Sequence, residues 1–466
     1  MQHVRRIASP LAIVLASTGL LLTGCGNGLL NIGGSTISTA LATTPTSVLI
    51  TDAPADQVLS LSLMVDSIVV TDKAGKSMTV LSTPVQVEVS HLDAVLEQLL
   101  PPMNIPQDTY VSATFKVANP VVVYIDPTTG KPVKVNATLS SATDTVTFAT
   151  PIVVSATSTP ICIDLLVGQS VSIVGSTVTM TPTFNVTQIP VSAQPTNSGN
   201  GRMDDLLGQV VSVSGTTLTV GGPNGQTLAI TTNSATQLQG FTALSLLTAG
   251  QLVAIDLAHQ ASGSLLAMEI RLLPGVARSM FGGPITATTG TPVTSFTEVV
   301  RQPLGPLAPA STTGATYTVN LVAATTYALP TQLPSLPFSP VFSAATLFAG
   351  QNVRVTAASV SGTTVTADSV TLATQTVNGV VAAQTVSGGV SIYTVTLPAQ
   401  SALATLTGKT SVVVYVGTAT QVVNKAAVVV GSQVRFNGLL FNDKGTLRLV
   451  AGVAGDLPGT APPNHP

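Results

Sequence analysis

The 466-residue sequence has no tryptophan and two cysteines, and only 8% of its residues are charged, against about 25% in ordinary globular domains. Each shortage excludes something. Two cysteines cannot build a disulfide framework. No run of Lys and Arg is present to grip phosphate, so no nucleic-acid partner is expected. Beyond Leu22 no apolar run reaches the ~18 residues a transmembrane helix needs. His91, His259 and His465 lie far apart, and no His/Cys cluster has metal-ligand spacing, so no metal or cofactor is expected. With so little charge, solubility must come from Thr, Ser, Asn and Gln. β-Branched Thr suits a pleated sheet, and the expected class is all-β.

What is present begins at the N-terminus. Arg5 and Arg6 precede an apolar stretch, Leu11 to Leu22, and Thr23-Gly24 places small residues before Cys25. This is the layout of a secretory signal, and Leu22-Thr23-Gly24-Cys25 resembles the bacterial lipobox. The resemblance implies that residues 1–24 are removed and that Cys25 becomes an acylated first residue. Two or more acyl chains give stable membrane anchoring, at roughly 0.8 kcal/mol per buried methylene. Without the leader, 15 basic residues face 19 acidic ones, a net charge of −4. Gly26 rather than aspartate after the cysteine points to the outer membrane or cell surface.

Residues 25–45, rich in Gly, Ser and Thr, read as a flexible tether. From Thr46 to Pro190 short apolar-polar alternations separated by turns predict strands. One stretch breaks the pattern: Leu92, Val95, Leu96 and Leu99 fall at helical spacing after Ser90 and before Pro101-Pro102, which predicts a helix. Residues 191–206 read as a linker, with Asp204 and Asp205 a solvated charge pair.

An internal repeat follows, over 207–274, 275–375 and 376–455, before a tail at 456–466 expected to be disordered. A shared phrase marks each copy: Gly250-Gln251-Leu252-Val253, Gly350-Gln351-Asn352-Val353 and Gly431-Ser432-Gln433-Val434. Each copy is domain-sized. The second carries Pro-rich insertions at Val300–Thr313 and Pro330–Pro340.

Two family resemblances attach to these residues. Thr51-Asp52-Ala53-Pro54, Ile68-Val69-Val70, His91-Leu92-Asp93 and Ile105-Pro106-Gln107-Asp108-Thr109-Tyr110 resemble the domain of unknown function 4382, with Asp108 where that family has glycine. This implies a β-sandwich over 46–190. The Gly208-Gln209-Val210-Val211 opening, the Gly250-Gln251 phrase and the Leu265–Ile270 close resemble the domain of unknown function 5666. That implies two or three small OB-like β-barrels strung outward.

Little chemistry is visible. Cys162, between Ile161 and Ile163, reads as a buried small hydrophobe. Gly408-Lys409-Thr410 looks like the end of a phosphate loop, but Leu403 stands where that motif needs glycine. His91 is expected at the helix start and His259 in a polar turn. Asp52 and Asp56 flank a turn and form a candidate binding loop, although two carboxylates are too few for calcium. Tyr110 and Tyr124 are expected to be exposed beside it. No catalytic residue is assigned, because no nucleophile, base and orienting group come together. The expectation is a non-enzymatic cell-envelope scaffold, adhesion or binding protein, partnered with the membrane through its lipid and with an envelope glycan or protein. The alternative is a carbohydrate- or peptidoglycan-binding envelope protein.

Overall fold

The computed structural model describes residues 41–52, 56–92, 97–192, 195, 201–222, 226–273, 279–330, 333–423 and 427–456. Leu22, Thr23, Gly24 and Cys25 lie outside the described residues. The described chain is all-β and multi-domain, a sandwich followed by barrels.

In the first domain β1 (Thr43–Asp52) is extended from its first residue, so the last three positions read as tether belong to a strand. Next come β2 (Val58–Asp72), β3 (Ser77–Leu81), β4 (Val85–Glu88), β5 (Glu97–Pro106), β6 (Thr109–Ile125), β7 (Pro132–Asn136), β8 (Thr138–Leu139) and β9 (Thr143–Val153). β10 (Ile161–Leu165), the short helix α1 (Val167–Ser170), β11 (Val171–Val174), β12 (Thr177–Met180) and β13 (Phe184–Gln188) complete it. One sheet runs β13-β10-β1-β5, and a second runs β3-β2-β6-β7 with β4 on β2 and β9 on β6. Their inner faces share one core, in which Phe115 of β6 stacks on Phe184 of β13 at 4.3 Å.

The helix expected after Ser90 is corrected here. Glu97–Pro106 is strand β5, paired antiparallel to β1, and buried Leu99 packs into the sandwich core. Val95 and Leu96 lie outside the described residues; from Glu97 on, pairing with β1 overrode the helical spacing. A second correction concerns β2. Strict alternation would put Leu59, Leu61, Leu63 and Val65 on one face, but a bulge between Val58 and Ser60 turns Leu59 outward. Leu61, Leu63 and Val65 fill the sandwich, while Leu59 packs against Val299 and Ala402 of later domains.

Three barrels follow. The first has β14 (Arg202–Ser214), β15 (Thr217–Gly221), β16 (Thr227–Thr231), β17 (Gln237–Gln239), β18 (Leu252–His259) and β19 (Leu265–Leu272). Its opening strand takes in the last residues of the span read as a linker. The second has β20 (Met280–Thr289), β21 (Ser295–Val299), β22 (Thr316–Asn320), β23 (Thr326–Ala328), β24 (Asn352–Ser361) and β25 (Thr364–Leu372). The third has β26 (Thr374–Ser387), β27 (Val390–Thr396), helix α2 (Ala402–Thr407), β28 (Ser411–Val423), β29 (Gln433–Asp443) and β30 (Thr446–Asp456).

The pairing scheme is the same each time. Counting the five ring strands alone, with β17 and β23 as additions on β19 and β25, the first strand pairs with the second and fourth, the fourth with the fifth, and a parallel pair closes the ring: β16–β19, β22–β25 and β28–β30. The middle ring closes despite its insertions. Three local devices recur with the topology. A glycine in the first strand (Gly208, Gly283, Gly379) lies so close to the second strand that a Cβ would strike Val220, the Val299 carbonyl or the Thr396 carbonyl. A bulge follows, between Val210 and Ser212, Ile285 and Ala287, and Val381 and Ala383. A threonine hydroxyl (Thr236, Thr325, Thr420) donates to the carbonyl of Ala267, Ala367 or Ala451 at 2.8, 2.9 and 2.7 Å. Each of these hydroxyls also accepts the N–H three residues earlier.

The domains are not strung out. The described residues fall in one compact unit, and apolar clusters bridge every junction. Leu49, Cys162 and Ile189 of the sandwich enter the core of the first barrel. Leu207 and Ala254 meet Met280 and Leu304 between the first and second barrels. Leu372 meets Leu439 and Phe441 between the second and third.

Candidate functional site

Both ends of the candidate loop are docked, and residues 53–55 between them lie outside the described residues. Asp52 ends β1 fully buried, opposite Leu165 of β10. The Asp56 carboxylate accepts a hydrogen bond from Asn378 Nδ2 at 3.1 Å, and its backbone carbonyl accepts Ala402 N–H at 2.7 Å. Arg435 Nε donates to Asn378 Oδ1 at 3.3 Å. Burial raises the Asp56 pKa, held back by the Asn378 bond and the Arg435 charge. Burial pushes nearby Asp164 up to about 6, again against Arg435. Asp56 therefore faces the third barrel, whose Arg435 also acts on Asp164. Tyr110 and Tyr124, expected at the surface, are buried in the sandwich core.

His91 stands in a turn after β4, sealed between two carboxylates. Its Nδ1 lies 2.8 Å from Glu88 Oε2, and its Nε2 lies 2.5 Å from Glu97 Oε2. Glu88 also accepts Ser60 Oγ at 2.9 Å and Leu61 N–H at 3.2 Å. Burial alone would lower the imidazole pKa. The Glu97 charge and the hydrogen bonds to both carboxylates override that and raise it to about 10. An imidazolium held this way cannot act as a general base near neutrality. His259 is the reverse case. It closes β18 as a buried residue rather than lying in a polar turn, and burial lowers its pKa to about 4. His465 lies outside the described residues.

Asp204 and Asp205, read as a solvated pair, belong to an ion network between two barrels. Arg202 pairs with Asp204, and its Nη2 reaches Asp256 Oδ2 at 3.1 Å. Arg271 pairs with Asp205 and with Glu269 at 3.2 Å. Asp256 accepts the Asp205 N–H at 3.0 Å, and Arg354 Nη1 reaches Asp205 Oδ2 from β24 at 3.2 Å. The linker reading missed this because Arg271 and Arg354 come from strands far along the chain. A cavity of ≈ 220 Å³ lies beside the network, between Arg271, Leu272 and Leu273 on one wall and Met280, Leu329 and Arg354 on the other. A smaller one, ≈ 70 Å³, lies where the sandwich meets the second and third barrels.

Three further residues carry weight that their sequence context did not signal. Arg301, buried in the second barrel, donates from Nε to the Leu59 carbonyl and from Nη1 to the Ser90 carbonyl at 3.2 Å, both in the sandwich. Glu298 of β21 is fully buried. Neither carboxyl oxygen has a hydrogen-bond partner among the described residues, and burial pushes its pKa up to about 8. Ser401 caps α2 by accepting Ala404 N–H at 3.1 Å, and Gly408 closes the helix in the left-handed region. Gly408-Lys409-Thr410 thus follows a helix and precedes strand β28, the reverse of the order a phosphate loop needs.

Cys162 is buried with its thiol pushed up to about 12, by burial and then by the Asp164 charge. Among the described residues no three His, Cys, Asp or Glu side chains gather in a form that could hold a metal ion. No described helix is long and apolar enough to cross a membrane. Much of the polar chemistry lies at the seams between domains.

Comparison with known proteins touches one of these domains. No curated protein matches the chain. Among solved structures, drosophila Unr CSD456 is similar at 14% identity over 53% of this chain and 94% of that one, with a TM-score of 0.13. Residues 208–271 match the family described as a domain of unknown function, DUF5666. That span runs from Gly208 in β14 to Arg271 in β19, so it is the first barrel that is similar to this family.

Proposed function

We propose that the chain is an exported, lipid-anchored scaffold of the bacterial cell envelope, which catalyses no reaction and offers a stiff β surface for binding or adhesion. Cys25, with Leu22, Thr23 and Gly24 before it, would carry the lipid and set the place, the outer membrane or cell surface. The sandwich would be a relative of the domain of unknown function 4382, a family common in bacterial lipoproteins. The observation that carries the reading is where the scarce charge lies. Asp56, Asp205, Arg301, Arg354 and Arg435 act across the junctions between domains. A rigid multi-domain body suits presentation of a surface, and several weak contacts on one anchor would gain avidity on a repetitive target.

The test is membrane partition of the full chain and of Cys25→Ser. The parent is expected in the membrane fraction after a high-salt wash and the variant in the soluble one; a variant that stays bound refutes lipid anchoring. The soluble variant then separates scaffold from glycan binder. Retention on peptidoglycan or one polysaccharide, competed by the free oligosaccharide, would select the carbohydrate-binding alternative.

A further inference from the structure

The insertion Pro330–Pro340 is the part of the second barrel that closure does not require. The first barrel closes with the same pairings and only residues 240–251 between its matching strands, whereas 329–351 separate β23 from β24. Within this excess, Pro334, Pro337 and Pro340 recur every third residue, the period of a polyproline II helix. Residues 333–342 form neither strand nor helix, and among the described residues no backbone hydrogen bond holds them. Side chains alone keep the segment in place.

Those side chains lie along the seam between the second and third barrels. Leu333, Leu336, Phe338 and Phe342 pack on a buried apolar strip made by Leu372, Leu439, Phe441 and Val450. Phe338 enters a pocket of aromatic and cationic groups. Its ring lies 4.9 Å from that of Tyr415 and 6.2 Å from that of Phe441, and the Arg448 guanidinium carbon stands 5.2 Å from its centre. Arg448 is oriented by Asp443, 2.9 Å away, and by the Tyr415 hydroxyl. Pro334 and Pro337 face solvent, so the prolines stiffen the segment while its leucines and phenylalanines make the contacts. An aromatic-lined groove filled by a pre-stiffened proline-rich strand is a recurring mode of peptide recognition.

We infer that this groove, formed mainly by the third barrel with Leu372 of the second, is a binding site for extended, proline-rich peptides with apolar and aromatic residues between the prolines. The chain's own segment 333–342 occupies it in cis, and a peptide of the same chemistry displaces the segment. With no backbone hydrogen bonds to break, release costs only the side-chain contacts. Tethering at both ends gives the segment an effective concentration on the order of millimolar, which keeps weak competitors out.

The probe is a labelled peptide, Leu-Pro-Ser-Leu-Pro-Phe-Ser-Pro-Val-Phe, titrated by fluorescence anisotropy into the full chain carrying Cys25→Ser. Adding Leu336→Ser with Phe338→Ser to loosen the strap should tighten peptide binding at least ~10-fold. Replacing the three peptide prolines by glycine, or adding Arg448→Ser to the loosened chain, should undo the gain. A loosened chain with an unchanged circular dichroism spectrum that takes up peptide no better than its parent overturns the inference. So does equal binding of the glycine peptide, or dimerisation in place of peptide uptake. A second measurement leaves the strap contacts intact. A spin label on exposed Ser339→Cys should gain mobility when millimolar peptide is added, and unchanged mobility also overturns the inference.

Discussion

Glu298 offers the sharpest test of how the second barrel is held together. Alternation along β21 puts Phe296 and Glu298 on one face, and Phe296 belongs to the barrel core. A carboxylate there with no donor in reach would be an uncompensated buried charge, so the group stays protonated instead. Its pKa moves from 4.5 to about 8. For an acid raised on folding, the native state binds the extra proton between those two values. Stability is therefore full below pH 4.5 and falls as pH rises through about 8. At about 1.4 kcal/mol per unit, the loss is about 3 kcal/mol by pH 7 and about 5 kcal/mol once pH exceeds 8. Glu298→Gln keeps the shape and an uncharged polar group, so it should match the parent in acid and surpass it by those amounts as pH rises. Thermal or guanidinium melts at about pH 5, 7 and 9, followed by circular dichroism because the chain has no tryptophan, would measure the difference. His91 loses its own stabilising charge over a higher window, from 6.5 through about 10, but both proteins share that loss and it cancels. Curves that stay parallel across the range would refute a buried, neutral Glu298.

Other outcomes follow from close contacts. Gly283→Ala drives a methyl group into the Val299 carbonyl oxygen and should cost upwards of ~3 kcal/mol, whereas Gly417→Ala meets open space and should be nearly silent in the same melt. Arg301→Met removes the donors to Leu59 and Ser90 and should cost roughly 2–3 kcal/mol, seen as faster limited proteolysis between the sandwich and second barrel. Cys162 should resist alkylation at neutral pH in the folded chain and react promptly in denaturant; rapid native labelling would contradict its burial.

Much of the fold was legible because strand periodicity is a local signal. The Val58–Val70 alternation, the Thr-rich turns and the repeated Gly-Gln phrase all report on neighbours a few residues away. Even the hydroxyl bridge of the barrels has a local trace, Ala235-Thr236, Ala324-Thr325 and Ala419-Thr420, which could have aligned the three copies. The seams were not legible. Gln351 sits in the repeat phrase, yet its amide nitrogen donates to the Leu440 carbonyl of the next barrel at 2.8 Å. Strand β18 is buried along its whole length, Asp256 and His259 included, because neighbours cover both its faces. A two-residue period cannot report a second covered face. The helix expected after Ser90 failed for a related reason: its last apolar position, Leu99, sits in a strand whose partner, β1, is some fifty residues away in the chain. The cores of the separate domains could be anticipated, but not the partners of Asp56, Asp205 and Arg301.

Those long-range fasteners also set an order of assembly. The sandwich is complete at Gln188, and each barrel can close once its fifth strand has been made. Asp56 must nevertheless wait for Asn378 and Arg435, and the Leu59 and Ser90 carbonyls must wait for Arg301. At about 5–20 residues per second, the 379 positions between Asp56 and Arg435 take roughly 20 to 75 s to synthesise. Through that interval the Asp56 end of the sandwich lacks the barrel that covers it. The vulnerable moment in the life of this protein is therefore the one before its last barrel has folded onto the sandwich.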